Sequence, residues 1–348
     1  MTHLDTASKE IQSRLLGWYD ENKRDLPWRV STHPYSVWIS EIMAQQTRIT
    51  TLLPYYERFI KRFPTVFDLA AAPEDDVLKA WEGLGYYSRA RNLRSAAQKI
   101  VSLHNGIIPG TKEALLSLPG IGDYTAGAIL SIAYEIPTPA VDGNVLRVFS
   151  RLTNSHEDIT QPQTKALAKQ FVASIFPPGR AGCFTQALME LGALVCVPKN
   201  PECAACPLES LCRAKQSGRQ SGLPVKSAKN KKKTVPQTIF VICVPDGRIV
   251  MRKRTEKLLN GLWEFYSIPE ALDEQAVIEH LGELGYTVSP VASMGKSKHV
   301  FTHIIWEMDG FFCHVREEHA PSGYGLFKPS ELKELAIPTA IRKYTEFY

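Results

Sequence analysis

The stretch Leu118-Pro119-Gly120-Ile121-Gly122, continued by Asp123-Tyr124-Thr125 and an apolar run to Tyr134, decides how this chain folds. Helically spaced apolar residues stop at the first glycine and resume at Thr125, so the segment predicts two helices joined by a tight hairpin. Two glycines around one apolar residue let backbone amides face outward at the start of the second helix, where a phosphate oxygen can accept from them. That is the signature of a helix-hairpin-helix that grips a DNA backbone without reading bases. A Gly-x-Gly turn that only packs two helices is the competing reading.

Outward from the hairpin, residues 39–63, 126–134, 145–152 and 166–175 keep helical spacing, so the N-terminal two-thirds reads as nearly all helix. Val141-Asp142-Gly143-Asn144 precedes one of these runs, which places Asp142 at or next to a helix N-cap, by itself a structural role. Four of the seven cysteines then share one loop, as Cys196, Cys203, Cys206 and Cys212. Clustered thiols in a reducing compartment point to tetrahedral zinc or an iron-sulfur cluster rather than to disulfides. Only Cys203 and Cys206 form a Cys-x-x-Cys knuckle and the outer two are unequally spaced, which favours a 4Fe-4S cluster. Cys183, Cys243 and Cys313 lie among apolar residues and read as core fillers.

Residues 217–236, rich in Pro, Ser and Lys, have the composition of a linker. Beyond them β-type runs at 238–244, 248–252, 299–306 and 311–315 alternate with helical stretches near 273–284 and 330–335, the pattern of a small α+β domain. The chain of 348 residues thus divides into 1–216, 217–236 and 237–348, in keeping with the roughly 100 to 200 residues of one domain. Hydrophobic residues at 44% and charged residues at 22% exclude a disordered or fibrous chain. The net charge of +5 resides in Lys226, Lys229, Lys231, Lys232 and Lys233, without which acidic and basic residues balance. Charge alone therefore identifies no polyanion partner. No apolar run approaches the ~18 residues of a membrane helix, and the polar opening has no signal-peptide core. The expectation is a cytoplasmic protein without a membrane partner.

Hairpin, Asp-bearing turn and cysteine loop, in this order, resemble the helix-hairpin-helix base-excision DNA glycosylases that carry an iron-sulfur cluster. Relatives that also cleave the strand have a Schiff-base lysine two residues beyond the second hairpin glycine. Here that residue is Tyr124, which cannot form an imine, and Lys112 lies too far along the chain, so a monofunctional glycosylase is implied. Ser40-Glu41-Ile42-Met43-Ala44-Gln45-Gln46-Thr47, with Leu26-Pro27-Trp28-Arg29 upstream and Gly83-Leu84-Gly85-Tyr86-Tyr87 downstream, is similar to the MutY adenine DNA glycosylases, which remove adenine mispaired with 8-oxoguanine. The resemblance implies Glu41 as general acid, Asp142 as stabiliser of the cationic sugar, and Tyr124 and Asn144 as their supports. It assigns the base pocket to Trp28, Arg29, Thr47 and Gln186, a gap-filling wedge to Gln46, and backbone contacts to Gly120 and Gly122. The cluster falls to Cys196, Cys203, Cys206 and Cys212.

The C-terminal part extends the likeness. Leu258-Leu259-Asn260-Gly261-Leu262-Trp263-Glu264-Phe265 resembles the core of a Nudix-like domain, but no Arg-Glu-x-x-Glu-Glu helix for magnesium follows. Recognition of 8-oxoguanine, rather than pyrophosphate hydrolysis, is implied, through Leu84, Gly85 and Tyr86 together with Phe301, Thr302 and His303. Thr302 stands where the family has serine. The expected fold is a mainly α helix-hairpin-helix glycosylase domain with an iron-sulfur loop plus a small α+β Nudix-like domain. The expected partner is double-stranded DNA with an adenine·8-oxoguanine mispair, bound by a monomer. Alternatives are a glycosylase for another mismatch such as G·T and a non-catalytic zinc-bound DNA-binding protein, which would be colourless.

Overall fold

The computed structural model describes residues 3–227 and 232–346. In chain order the helices are α1 (His3–Asn22), α2 (Pro27–Val30), α3 (Pro34–Ala44), α4 (Ile49–Arg62), α5 (Val66–Ala71), α6 (Glu74–Ala80), α7 (Ser88–His104), α8 (Lys112–Leu116), α9 (Asp123–Tyr134), α10 (Gly143–Thr153), α11 (Pro162–Ser174), α12 (Ala181–Leu194) and α13 (Arg213–Gln216). Then come β1 (Lys233–Cys243), β2 (Ile249–Lys253), β3 (Trp263–Ile268), α14 (Glu274–Glu283), β4 (Val288–Val300), β5 (Ile304–Val315), β6 (Gly325–Phe327) and α15 (Pro329–Leu332). Two compact units result: Met1–Ala71 with Ser95–Ala228, and Ala72–Arg94 with Lys229–Tyr348.

The first unit is helical for reasons legible along the chain. Proline at the first turn starts α2, α3 and α11, where its missing N–H costs nothing. Asp142 caps α10 and Asn154 ends it in the left-handed region. Ile11, Leu15 and Tyr19 of α1 pack with Val145 and Val148 of α10 and with Phe184, Leu188 and Leu191 of α12, and Leu208 brings the cysteine loop against the same core. The hairpin between α8 and α9 turns at Gly120, whose φ of 76° suits glycine. Gly122 has an ordinary extended backbone and serves as the N-cap of α9, so only the first glycine is demanded by conformation.

The second unit is a mixed six-stranded sheet in the order β4-β5-β1-β3-β2-β6. β1 runs parallel to β5 and antiparallel to β3, and its second half is buried on both faces. Its alternate residues divide accordingly: Ile239, Val241 and Cys243 face a core with Leu332, Ile341 and Tyr344, while Phe240, Ile242 and Val244 face Val277 and Leu281 of α14. A continuous apolar strand is what two covered faces require.

Several expectations shift. Residues 39–63 are two helices, because the chain turns at Gln46 with φ 59°. The run 299–306 is no single strand: β4 ends at Val300, and Phe301 N–H donates to Ile304 O at 2.9 Å across a tight turn into β5. The linker is shorter than residues 217–236, since Leu223 is buried and β1 begins at Lys233; residues 228–231, with Lys229 and Lys231, lie outside the described residues. Residues 72–94 cluster with the second unit, which a division at 216 did not foresee. Cys243 and Cys313 are buried fillers, whereas Cys183 is half-buried. No helix among the described residues is long and apolar enough to cross a membrane.

Candidate active site

Three helices of the first unit bring the site together. α3 carries Glu41 on a stretch where Ser40, Ile42 and Met43 are also buried. The first turn of α9 supplies Tyr124, whose hydroxyl donates to Glu41 Oε2 at 2.5 Å. Asp142 precedes α10, and its cap is bipartite: Oδ1 accepts from Val145 N–H and Oδ2 from Asn144 Nδ2, each at 2.8 Å. The capping role and an active-site position are compatible, because Asp142 still lines a cavity of about 670 Å³. Glu41, Tyr124, Asn144, Trp28, Arg29, Thr47 and Gln186 line the same cavity.

The two carboxyl groups are held differently. Burial pushes Glu41 up to about 7, opposed by the Tyr124 hydrogen bond and reinforced by the charge of Asp142. Asp142 is likewise raised overall by burial, against which the hydrogen bonds from the Val145 amide and the Asn144 side chain favour its anion. A proton held near neutrality on one carboxyl, beside a carboxylate whose anion is hydrogen-bonded, is the arrangement for acid catalysis with charge stabilisation. The hydroxyl of Tyr124, driven well above its ordinary range by burial, stays a donor.

Sequence reading missed Glu190. Its side chain is 1% exposed, and it accepts from Arg24 Nε at 2.7 Å and from Arg29 Nη2 at 2.7 Å. Burial would raise this carboxyl, but the two guanidinium groups hold it at about 2. Arg29 is thereby fixed, its Nε donating to Gln186 Oε1 at 3.1 Å. The available signal was a charged residue in the apolar run of α12, between Leu188-Met189 and Leu191. Arg147, equally overlooked, donates to Asn144 Oδ1 at 2.8 Å and through Nε to Cys196 O at 2.7 Å, tying the Asp142 turn to the start of the cysteine loop. Gln46, exposed and left-handed at the α3–α4 turn, does not line the cavity.

Leu84, Gly85 and Tyr86 belong to the second unit, in a turn with left-handed Gly83, Gly85 and Tyr86. Within that unit Tyr86 Oη lies 3.4 Å from Thr302 Oγ1, so two segments 216 residues apart meet. Thr302 and His303 are exposed at the β4–β5 turn, and Phe301 packs edge-on against Trp306.

Cys196, Cys203, Cys206 and Cys212 are all half-buried free thiols. Burial pushes Cys206 up to about 12, and its three neighbours in the loop add to the rise. Among the described residues no group of three or more Cys, His, Asp or Glu side chains is arranged to hold a metal ion. The donor chemistry nevertheless fits a thiolate-bound iron-sulfur group: four soft sulfur donors in one loop, three of them (Cys196, Cys206 and Cys212) against an apolar core, with Arg151 Nη1 donating to Cys196 Sγ at 3.3 Å.

Residues 39–174 match the HhH-GPD superfamily of base excision DNA repair proteins, and residues 238–346 match a NUDIX domain. The structure of a thermostable thymine-DNA glycosylase is similar, with a TM-score of 0.57 at 26% identity over 62% of this chain and 100% of that one. Fold and site together define the class as a base-excision repair glycosylase built on a helix-hairpin-helix. The adenine DNA glycosylase of Rattus norvegicus is 34% identical over 97% of this chain and 78% of its own length. That of Buchnera aphidicola subsp. Acyrthosiphon pisum is 33% identical over 97% of this chain and 98% of its own. The chain belongs to the adenine DNA glycosylases, hydrolases that break the N-glycosyl bond of adenine in DNA during base-excision repair.

Proposed function

We propose that the protein, as a monomer, removes adenine paired with 8-oxoguanine in duplex DNA and leaves the strand uncut. The observation that carries the chemistry is the cavity that joins Glu41 to Asp142 through α3, α9 and α10 and whose lining, among the described residues, contains no lysine. An adenine swung out of the stack into this cavity takes the Glu41 proton at N7 while the C1′–N9 bond lengthens and its electron pair leaves with the base. The Asp142 carboxylate faces the cationic sugar that develops. Water then adds to C1′ and gives its proton to Glu41, which restores the acid. Without an amine at the Tyr124 position no imine forms, so strand cleavage is not coupled to base loss.

Recognition of the opposite 8-oxoguanine is assigned to Leu84, Gly85 and Tyr86 together with the Phe301-Thr302-His303 turn, and the support for it is that Tyr86 and Thr302 stand within reach of each other in one unit. Cys196, Cys203, Cys206 and Cys212 would hold a 4Fe-4S cluster, which when bound cross-links the loop through its thiolates. The test is base release from duplexes with adenine opposite 8-oxoguanine and opposite guanine, for the wild type and for Phe301→Ala combined with His303→Ala. A drop of about ten- to a hundredfold in the preference for 8-oxoguanine is expected, from one or two lost contacts. An unchanged preference would remove the β4–β5 turn from recognition.

A further inference from the structure

Asp123 is the first residue of α9, directly after the hairpin, and two lysines from two other helices converge on it. Lys112, which opens α8, places Nζ 2.7 Å from Asp123 Oδ1. Lys169 of α11 pairs with Oδ2. All three side chains are between about a third and a half exposed, so solvent and a docking polyanion reach the cluster. Burial alone would raise the Asp123 carboxyl, but the two ammonium groups hold it below its usual range.

The cluster does no work for the fold that a simpler arrangement would not do. An exposed ion pair contributes little to stability, and one carboxylate between two lysines leaves a net positive charge. The charge lies directly beside the hairpin whose Gly-x-Gly sequence is expected to dock on a DNA backbone. A phosphodiester has the charge of Asp123 and two free oxygens, and can replace it as the common partner of both lysines. The carboxylate also sits in the first turn of α9, where the helix dipole favours an anion, so its replacement has an energetic cost.

We propose that Lys112 and Lys169 form a phosphodiester subsite beside the hairpin, and that Asp123 occupies it in the free protein and must be displaced by DNA. This rests on the reading of the chain as a DNA glycosylase. The device weakens docking on any duplex, damaged or not, by the same factor, and leaves base recognition untouched. It sets overall affinity and its salt dependence through charge alone.

The test measures binding of the full-length protein to a short undamaged duplex across a range of salt concentrations, for wild type, Asp123→Asn, and Asp123→Asn combined with Lys112→Gln or Lys169→Gln. Asp123→Asn should tighten binding about three- to tenfold at low salt and steepen the slope of log K against log salt by about one. In that background each lysine substitution should flatten the slope by about 0.9. Asp123→Ser, also suited to a first helical turn, serves as the second variant if the asparagine protein folds poorly. Equal or weaker binding by both Asp123 variants, or slopes that ignore the lysines, would overturn the subsite. A wild type that releases adenine and binds duplex while the variants show no change sinks only this inference; a wild type that does neither sinks the functional reading with it.

Discussion

Tyr124 donates its phenolic proton to Glu41 Oε2 at 2.5 Å, and this bond opposes the burial that pushes the carboxyl up to about 7. The Glu41 carboxyl is therefore poised near neutrality by two opposed effects, one of which a single oxygen atom controls. Base release in single turnover should fall as pH rises through about 7, where Glu41 loses its proton. It should fall again on the acid side, where Asp142 becomes neutral. Tyr124→Phe removes the influence that lowers the Glu41 value, so the alkaline limb should move to higher pH, with a rate at the optimum lowered roughly tenfold. A limb that stays in place or moves to lower pH would show that the hydrogen bond does not set the acid.

The same burial predicts a conflict between activity and stability. Glu41 has a folded-state value raised above its unfolded one, so the fold favours the protonated form. Stability is fully present below the unfolded value and declines as pH rises through about 7, beyond which the whole penalty is felt, on the order of 3 kcal/mol. Glu41→Gln keeps the shape and an acceptor for Tyr124 but carries no charge. Its melting temperature should exceed that of the wild type near pH 8 and approach it near pH 5. Equal melting curves at both would mean that the wild-type site relaxes around its anion.

Much of this was legible in the chain. Gly-x-Gly between helical runs placed the hairpin, Asp142 fell at its cap, and the apolar run of β1 marked the centre of a sheet covered on both faces. Local pattern failed where the outcome depended on remote partners. Nothing near Glu190 announces that Arg24 and Arg29, more than 150 residues earlier, neutralise it. Period also misled at residues 299–306, because a turn of two exposed residues leaves the flanking strands reading as one. The 72–94 segment joins the second unit through pairs such as Glu82 Oε1 with Ile337 N–H at 3.0 Å, which no spacing rule connects.

Gly192 is where packing tests the site without altering its chemistry. A Cβ added there would stand 2.6 Å from Asn144 Cβ and 3.1 Å from its backbone. Gly192→Ala must push back the turn that holds Asn144 against Asp142. A stability loss of about 1–3 kcal/mol is expected from overpacking. Base release should fall roughly ten- to a hundredfold under conditions where the protein remains folded, as expected when a catalytic group is misplaced by about an ångström. A normal rate would show that the Asn144–Asp142 hydrogen bond is dispensable.

The cysteine loop offers a test by colour. Wild type purified without chelators should be brown and contain iron, and Cys203→Ser should lose iron, visible absorption and affinity for DNA together. Zinc in place of iron in a colourless wild type would assign the thiols to a zinc site instead.

The role proposed for Glu41 is to supply the proton on which hydrolysis of the adenine N-glycosyl bond depends. It is tested most directly by single-turnover release of adenine from a duplex with adenine opposite 8-oxoguanine, comparing wild type with Glu41→Gln at matched, saturating protein. The wild type should yield free adenine and an uncut strand with an abasic site, while Glu41→Gln binds the duplex and releases roughly a thousandfold less or lower still, the upper part of the range for a lost general acid of roughly 10²–10⁴. Release by Glu41→Gln within about tenfold of the wild type, or no adenine from the wild type, would contradict it.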